Sequence, residues 1–146
     1  MPTSIREQVL AAFAVKLAAI AGVTVERNRI EPVVAFPALV MVDGGQTVSE
    51  ENTGLKLYAL KLDLEGYTQA TTAAELGPAL SDLYAKAVAA LMTDRTLGGV
   101  AIDVREGELR DPEIDRTQGH GPHAAFSLAF EVDYATDPAD PYQFGP

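Results

Sequence analysis

Apolar residues recur at helical spacing near the start of the chain. Ile5, Val9, Leu10, Phe13, Leu17 and Ile20 share one stripe, with Arg6, Gln8 and Lys16 largely off it. Ser4 and Glu7 form a Ser-x-x-Glu capping box, in which each side chain can bond the other residue's free backbone N–H. With Gly22 suited to a left-handed C-terminal cap, the spacing predicts a helix from about Ser4 to Ala21. Val23 to Ile30 and Ala35 to Val42 are short β-rich runs separated by Glu31 and Pro32. Pro32 and Pro37 cannot donate ladder hydrogen bonds and belong at a strand start, an edge or a bulge. Asp43-Gly44-Gly45 has turn chemistry and Gln46 to Thr53 is polar, so a loop is expected there. From Gly54 to Tyr67, Tyr58, Leu60, Leu62 and Leu64 alternate with Ala59, Lys61, Asp63 and Glu65, the pattern of a strand buried on one face.

Thr72 and Glu75 could cap a second helix, but Pro78 would then lie inside it and remove a hydrogen bond. A start at Pro78 with Gly77 as cap is the expectation. To about Met92 this helix shows Leu80, Leu83, Tyr84, Ala87, Val88 and Leu91 on one face and Ser81, Asp82 and Lys86 on the other. Leu97-Gly98-Gly99 closes the connection, and Val100 to Arg110 reads as a strand with Ala101, Asp103 and Arg105 on one side and Ile102 and Val104 on the other. Asp111 to His123 has no periodicity and is expected to be a flexible loop. Phe126, Leu128, Phe130, Val132 and Tyr134 then alternate with Ala125, Ser127, Ala129, Glu131 and Asp133, which predicts a central or nearly central strand. From Thr136 onward three prolines in 11 residues suggest an exposed tail that joins neither helix nor sheet.

The order helix, three strands, helix, two strands predicts an α+β fold, with two helices packed on a mainly antiparallel β-sheet of about five strands. A chain of 146 residues suits one domain, expected over residues 1–135 with 136–146 as an acidic, Pro-rich tail. With 47% apolar residues it has enough material for a core. Cysteine is absent, which removes disulfides, a thiol nucleophile and Cys-ligated metal sites. The stretch Val9 to Val25 is interrupted by Lys16 and Gly22 and is too short for the ~20 apolar residues of a membrane span, so a soluble, cytosolic chain without a signal peptide is expected.

Formal charge is −10, and residues 103–146, with ten acids and three bases, carry −7 of it. Such a balance opposes tight nucleic-acid binding, which depends on Lys and Arg neutralising phosphates. It concentrates negative charge on one surface region instead.

Candidate chemistry is sparse. His120 and His123, with Asp115 or Asp111, could hold a metal, but two histidines in Gly-His-Gly-Pro-His lack the further ligands that zinc requires. Asp111, Glu113 and Asp115 form an acidic run beside Arg110 and Arg116, more suited to a solvated face than to acid–base catalysis. Asp43-Gly44-Gly45 has no accompanying phosphate-loop motif, and no serine sits in a Gly-x-Ser-x-Gly elbow. No catalytic residue, cofactor or metal is expected. Partner-contact candidates are Arg27 and Arg29, expected to alternate on one strand face and to pair with acids of an adjacent subunit, with Asp43 and Gln46 in the first loop. Arg110, Asp115 and Arg116 around the second loop join them, as do Tyr142 and Phe144, aromatics that gain burial only against something else.

Several segments together carry a family resemblance: the N-terminal helix, Val25-Glu26-Arg27-Asn28-Arg29, the run Phe36-Pro37-Ala38-Leu39-Val40-Met41-Val42-Asp43-Gly44-Gly45, the helix containing Leu80-Ser81-Asp82-Leu83-Tyr84, Asp94-Arg95-Thr96-Leu97-Gly98-Gly99, and Phe130-Glu131-Val132-Asp133-Tyr134 before an Asp/Pro tail. Over nearly its whole length the chain resembles the tail terminator, or tail completion, proteins of long, non-contractile-tailed bacteriophages and gene transfer agents. The resemblance implies a non-enzymatic virion protein at the head-proximal end of the tail, made in the host cytoplasm. It also implies a hexameric ring that caps the tail tube. The implied partners are copies of the chain, the major tail tube protein and the head-side stopper or connector, with DNA passing through the lumen without specific binding. Two alternatives stand beside it: another neck component such as the stopper, and a small metal-dependent protein using the His120/His123 loop.

Overall fold

The computed structural model describes residues 2–115 and 123–145. Helix α1 spans Ile5–Ala18 and helix α2 Ala73–Met92; strands β1 (Thr24–Arg27), β2 (Ala38–Glu51), β3 (Lys56–Gln69), β4 (Asp103–Asp115), β5 (His123–Asp137) and β6 (Asp140–Phe144) form one sheet. Its order is β1-β2-β3-β5-β4, with β6 also on β5, and every pairing is antiparallel except β1 with β2. The fold is α+β, as the segment order predicts, with six strands rather than about five.

The two central strands set the layers. Along β5, Ala124, Phe126, Leu128, Phe130, Val132, Tyr134 and Thr136 are buried while the intervening residues are half-exposed. Leu60, Leu62, Leu64 and Gly66 of β3 stand opposite Val132, Phe130, Leu128 and Phe126. Both helices cover this face. Ile5, Val9, Leu10, Phe13 and Leu17 of α1 and Leu76, Leu80, Leu83, Ala87 and Leu91 of α2 bury against it, and the Phe13 and Phe130 rings meet edge to face at 5.5 Å. Each such large apolar side chain contributes roughly 1.5–3 kcal/mol on full burial.

Half of the expected capping box forms. The Ser4 hydroxyl accepts the Glu7 N–H at 3.1 Å, but the Glu7 carboxylate pairs with Arg27 instead of returning to the helix start. Helix α1 ends at Ala18, three residues before the expected Ala21. Helix α2 starts at Ala73, not Pro78, with Thr72 as cap. The proline is tolerated because Pro78 and Ala74, whose carbonyl loses its partner, are both exposed, and the longer helix buries Leu76. Ile102 lies ahead of β4, which begins at Asp103, and is exposed.

Three expected loops are strand. Residues 43–51 continue β2, because Gly44 and Gly45 form a bulge opposite Lys61 rather than a turn. β4 runs to Asp115 and β5 begins at His123, so residues 111–115 and 123 of the expected loop are strand, and its remainder, 116–122, lies outside the described residues. The expected tail joins the sheet: β5 continues through Asp137, the chain reverses at Pro138 and Ala139, and Asp140–Phe144 pairs back as β6. Proline is compatible there because β6 is a sheet edge.

The two bulge glycines differ in surroundings. A Cβ on Gly44 would stand on the Lys61 carbonyl, whereas one on Gly45 would meet nothing within 4 Å. Gly44→Ala is therefore expected to cost about 1–3 kcal/mol, while Gly45→Ala stays within about 0.5 kcal/mol. Chemical denaturation of both variants checks this, and equal losses would contradict the bulge.

Candidate functional site

Where α1, β1 and β2 meet, Arg27 holds two carboxylates. It donates to Glu7 at 2.5 and 2.9 Å and to Asp43 at 3.0 and 2.7 Å. Asp43 also donates its N–H to the Asn28 side chain, and Arg6 donates to the Gly44 carbonyl at 2.9 Å. Hydrogen bonds from Arg27 hold both the Glu7 and Asp43 carboxyls below their usual range and push the guanidinium further up. Arg27 and Arg29 do not alternate on one strand face as expected. β1 ends at Arg27; Arg29 lies beyond it and pairs with Glu26 at 2.6 Å. Gln46 accepts the Tyr134 hydroxyl at 2.7 Å.

The sheet face away from the helices is polar. β3 contributes Lys61, Asp63 and Glu65, β5 contributes Glu131 and Asp133 among Ala125, Ser127, Ala129 and Ala135, and β4 contributes Asp103, Arg105 and Arg110. Asp103 stands opposite Asp133, a like-charged cross-strand pair made tolerable by cations. Arg105 reaches Glu131 at 2.6 Å and Asp133 at 2.8 Å, and Arg95 reaches Asp103 at 2.7 Å. Burial raises the Asp133 carboxyl despite Arg105. Arg110 lies 3.8 Å from Asp63. The bridging role of Arg105 was not among the sequence candidates, although its alternation with Asp103 placed both on one side.

At the end of the sheet where β5 begins, residues 29–34 and Phe36 wall an open groove of 910 Å3 over Val40, Glu65, Tyr67 and Ala125. Ile30 and Val34 beside it are 93% and 80% exposed. His123 stacks near Phe36 at 5.0 Å between ring centres. Arg116 and His120 lie outside the described residues, and Asp115 is placed by register opposite His123. Tyr142 and Phe144 sit on β6 at the opposite end, 44% and 48% exposed.

Among the described residues no group of three or more His, Asp or Glu could hold a metal ion, and no helix is long and apolar enough to cross a membrane. What the arrangement offers is surface: a carboxylate-rich sheet face, open strand edges and exposed apolar side chains at both sheet ends.

No protein-family model matches the chain, and no curated protein matches it. Among solved structures it is similar to a chain of the "Virion of native gene transfer agent (GTA) particle", at 13% identity and a TM-score of 0.30, covering 89% of this chain and 90% of that one.

The Arg27 clamp has a pH signature. Glu7 and Asp43 have lowered folded pKa values, so their contribution is present above the ordinary carboxylate range and is lost as pH falls through the folded values. Arg27→Met is expected to destabilise by about 1 kcal/mol near neutrality, since partly exposed ion pairs contribute little individually. The gap in melting temperature to the wild type should begin to close at about pH 4 and vanish only as pH falls through the lower folded values. A difference constant with pH would contradict the clamp.

Proposed function

We propose that this protein is a non-enzymatic structural subunit of a phage-type virion, a tail terminator whose copies close into a hexameric ring on the head-proximal end of the tail tube. The observation that carries the reading is the polar sheet face. Beneath helices that are fully engaged on the other side, the open face presents Asp63, Glu65, Asp103, Glu131 and Asp133 against Lys61, Arg105 and Arg110, with small residues along β5 between them. With five carboxylates against three cations, and Arg105 and Arg110 both beside carboxylates, this face offers little to hold phosphate, and retention of DNA requires cationic phosphate contacts. Six copies at −10 would carry about −60 formally, and such a field discourages DNA from sticking.

Closed rings arise from heterologous contacts whose rotation closes. This chain has different surfaces on its two sheet edges and at its two sheet ends, which suits such contacts better than a self-complementary dimer. The segment resemblance adds the place: between the tail tube protein and the head-side stopper or connector.

Purified protein, alone or mixed with tail tubes of the particle that encodes it, should give rings by negative-stain microscopy, seated on one end of the tube. A strict monomer that also fails to bind tubes would contradict the proposal, and exclusive attachment to filled heads would assign the protein to the stopper position instead.

A further inference from the structure

The two sheet edges are open in the same rows. On the β2 side, β1 covers only Ala38 to Met41. The Asn28 N–H then donates to the Met41 carbonyl, and the Asn28 side chain accepts the Asp43 N–H, so Met41 and Asp43 direct backbone groups outward and Asn28 occupies them. Arg6 occupies the Gly44 carbonyl. The bulge of Gly44 and Gly45 opposite Lys61 shifts the outward positions to Gln46 and Val48. Among the described residues no strand pairs with β2 there on its outer side.

On the other edge, β4 pairs regularly with β5 from Asp103 to Glu106 and then slips twice, between Glu106 and Leu109 and between Arg110 and Glu113, with Pro112 inside the second slip. Bulges and proline are devices that protect a strand edge from pairing. They guard the C-terminal half of β4, leaving Asp103 to Glu106 regular. The rows match: Gln46, Leu60, Val132 and Val104 lie in line across the sheet, and so do Thr47, Ala59, Asp133 and Asp103. Among the described residues two short stretches are therefore bare, Gln46 to Val48 on β2, which lies between the glycine bulge and a second slip before Glu50, and Asp103 to Glu106 on β4.

We infer that the bare edges pair with each other between copies, β2 from Gln46 to Val48 of one copy lying beside β4 from Asp103 to Glu106 of the next. This rests on the ring reading and specifies its contact. Polarity agrees, because β2 and β4 run in opposite directions and a copy related by rotation about an axis along the strands presents β4 antiparallel to β2. Charge agrees as well. Gln46, Thr47 and Val48 are neutral, Asp103 and Arg105 are already compensated by Arg95, Glu131 and Asp133, and Glu106, which accepts the Tyr84 hydroxyl, shares its row with Asp43, whose carboxylate Arg27 holds. The occupant is a second copy because each edge lacks what the other supplies, and the shared rows let one contact repeat around a closed ring.

The chain has no cysteine, which makes disulfide trapping clean. Cysteine is introduced at Thr47 and at Asp103 or Arg105, all three on the face away from the helices, singly and in the two double combinations, and proteins are oxidised at high salt with and without tail tubes. At least one double variant should give a covalent ladder on non-reducing gels extending to the ring number. A mixture of the two matching single variants should stop at dimers, and single variants alone should give none. Val48→Pro, which removes an outward N–H without touching the β3 ladder, should raise the concentration needed for assembly at least tenfold while keeping the wild-type circular dichroism. Rings that form without a ladder from any combination and withstand Val48→Pro overturn the edge contact while leaving the ring reading intact. Dimers from a single β2 cysteine overturn it in favour of a two-fold contact, and absence of rings under every condition overturns both.

Discussion

Fourteen residue pairs join β3 and β5 without a slip, and the rest of the molecule is arranged around that register. A shift of one residue would turn the apolar set of one strand away from the helices, Leu60, Leu62 and Leu64 of β3 or Phe126, Leu128, Phe130 and Val132 of β5, and bring Asp63 and Glu65 or Glu131 and Asp133 into their place. Burying those carboxylates without partners would cost several kcal/mol each. The same alternation therefore selects the core and, on its reverse side, the acidic face.

Outside this pair the sheet is built from interruptions. β1 is four residues long, β2 bulges at its glycines and slips again between Val48 and Glu50, β4 slips twice, and β6 occupies the β5 edge beyond the start of β4. Side chains hold the margins in place: Arg6 and Asn28 around the glycine bulge of β2, Arg27 between α1 and β2, and Arg105 and Arg95 over the Asp103 and Asp133 pair. A regular centre supplies stability, while irregular margins vary how much backbone remains free for partners.

The strongly periodic parts were legible in the sequence. The apolar stripes of both helices and the alternation of β3 and β5 are dictated by burial on one face, which leaves a period of its own. The misread parts depend on contacts between distant residues. Gly44 and Gly45 have the chemistry of a turn, and only the proximity of Lys61 makes them a bulge. Residues 46–51 are polar because both their faces are exposed, so their pairing with β3 has no hydrophobic signature. The tail is proline-rich yet finds an edge on which missing N–H groups do no harm. Among the candidate contacts, Arg27 and Asp43 were identifiable as charges, but not as partners within one chain, because their pairing depends on β1 lying parallel to β2.

Hydrogen exchange read peptide by peptide, first on dispersed protein and then on protein assembled with tail tubes, is the most direct test of a regular centre with margins left open for assembly. Amides of β3 and β5 should be slow in both states, while Gln46 to Glu51 and Asp103 to Glu106 slow only on assembly. Assembly that leaves those two segments unchanged and protects the outer surfaces of the helices instead would contradict the account.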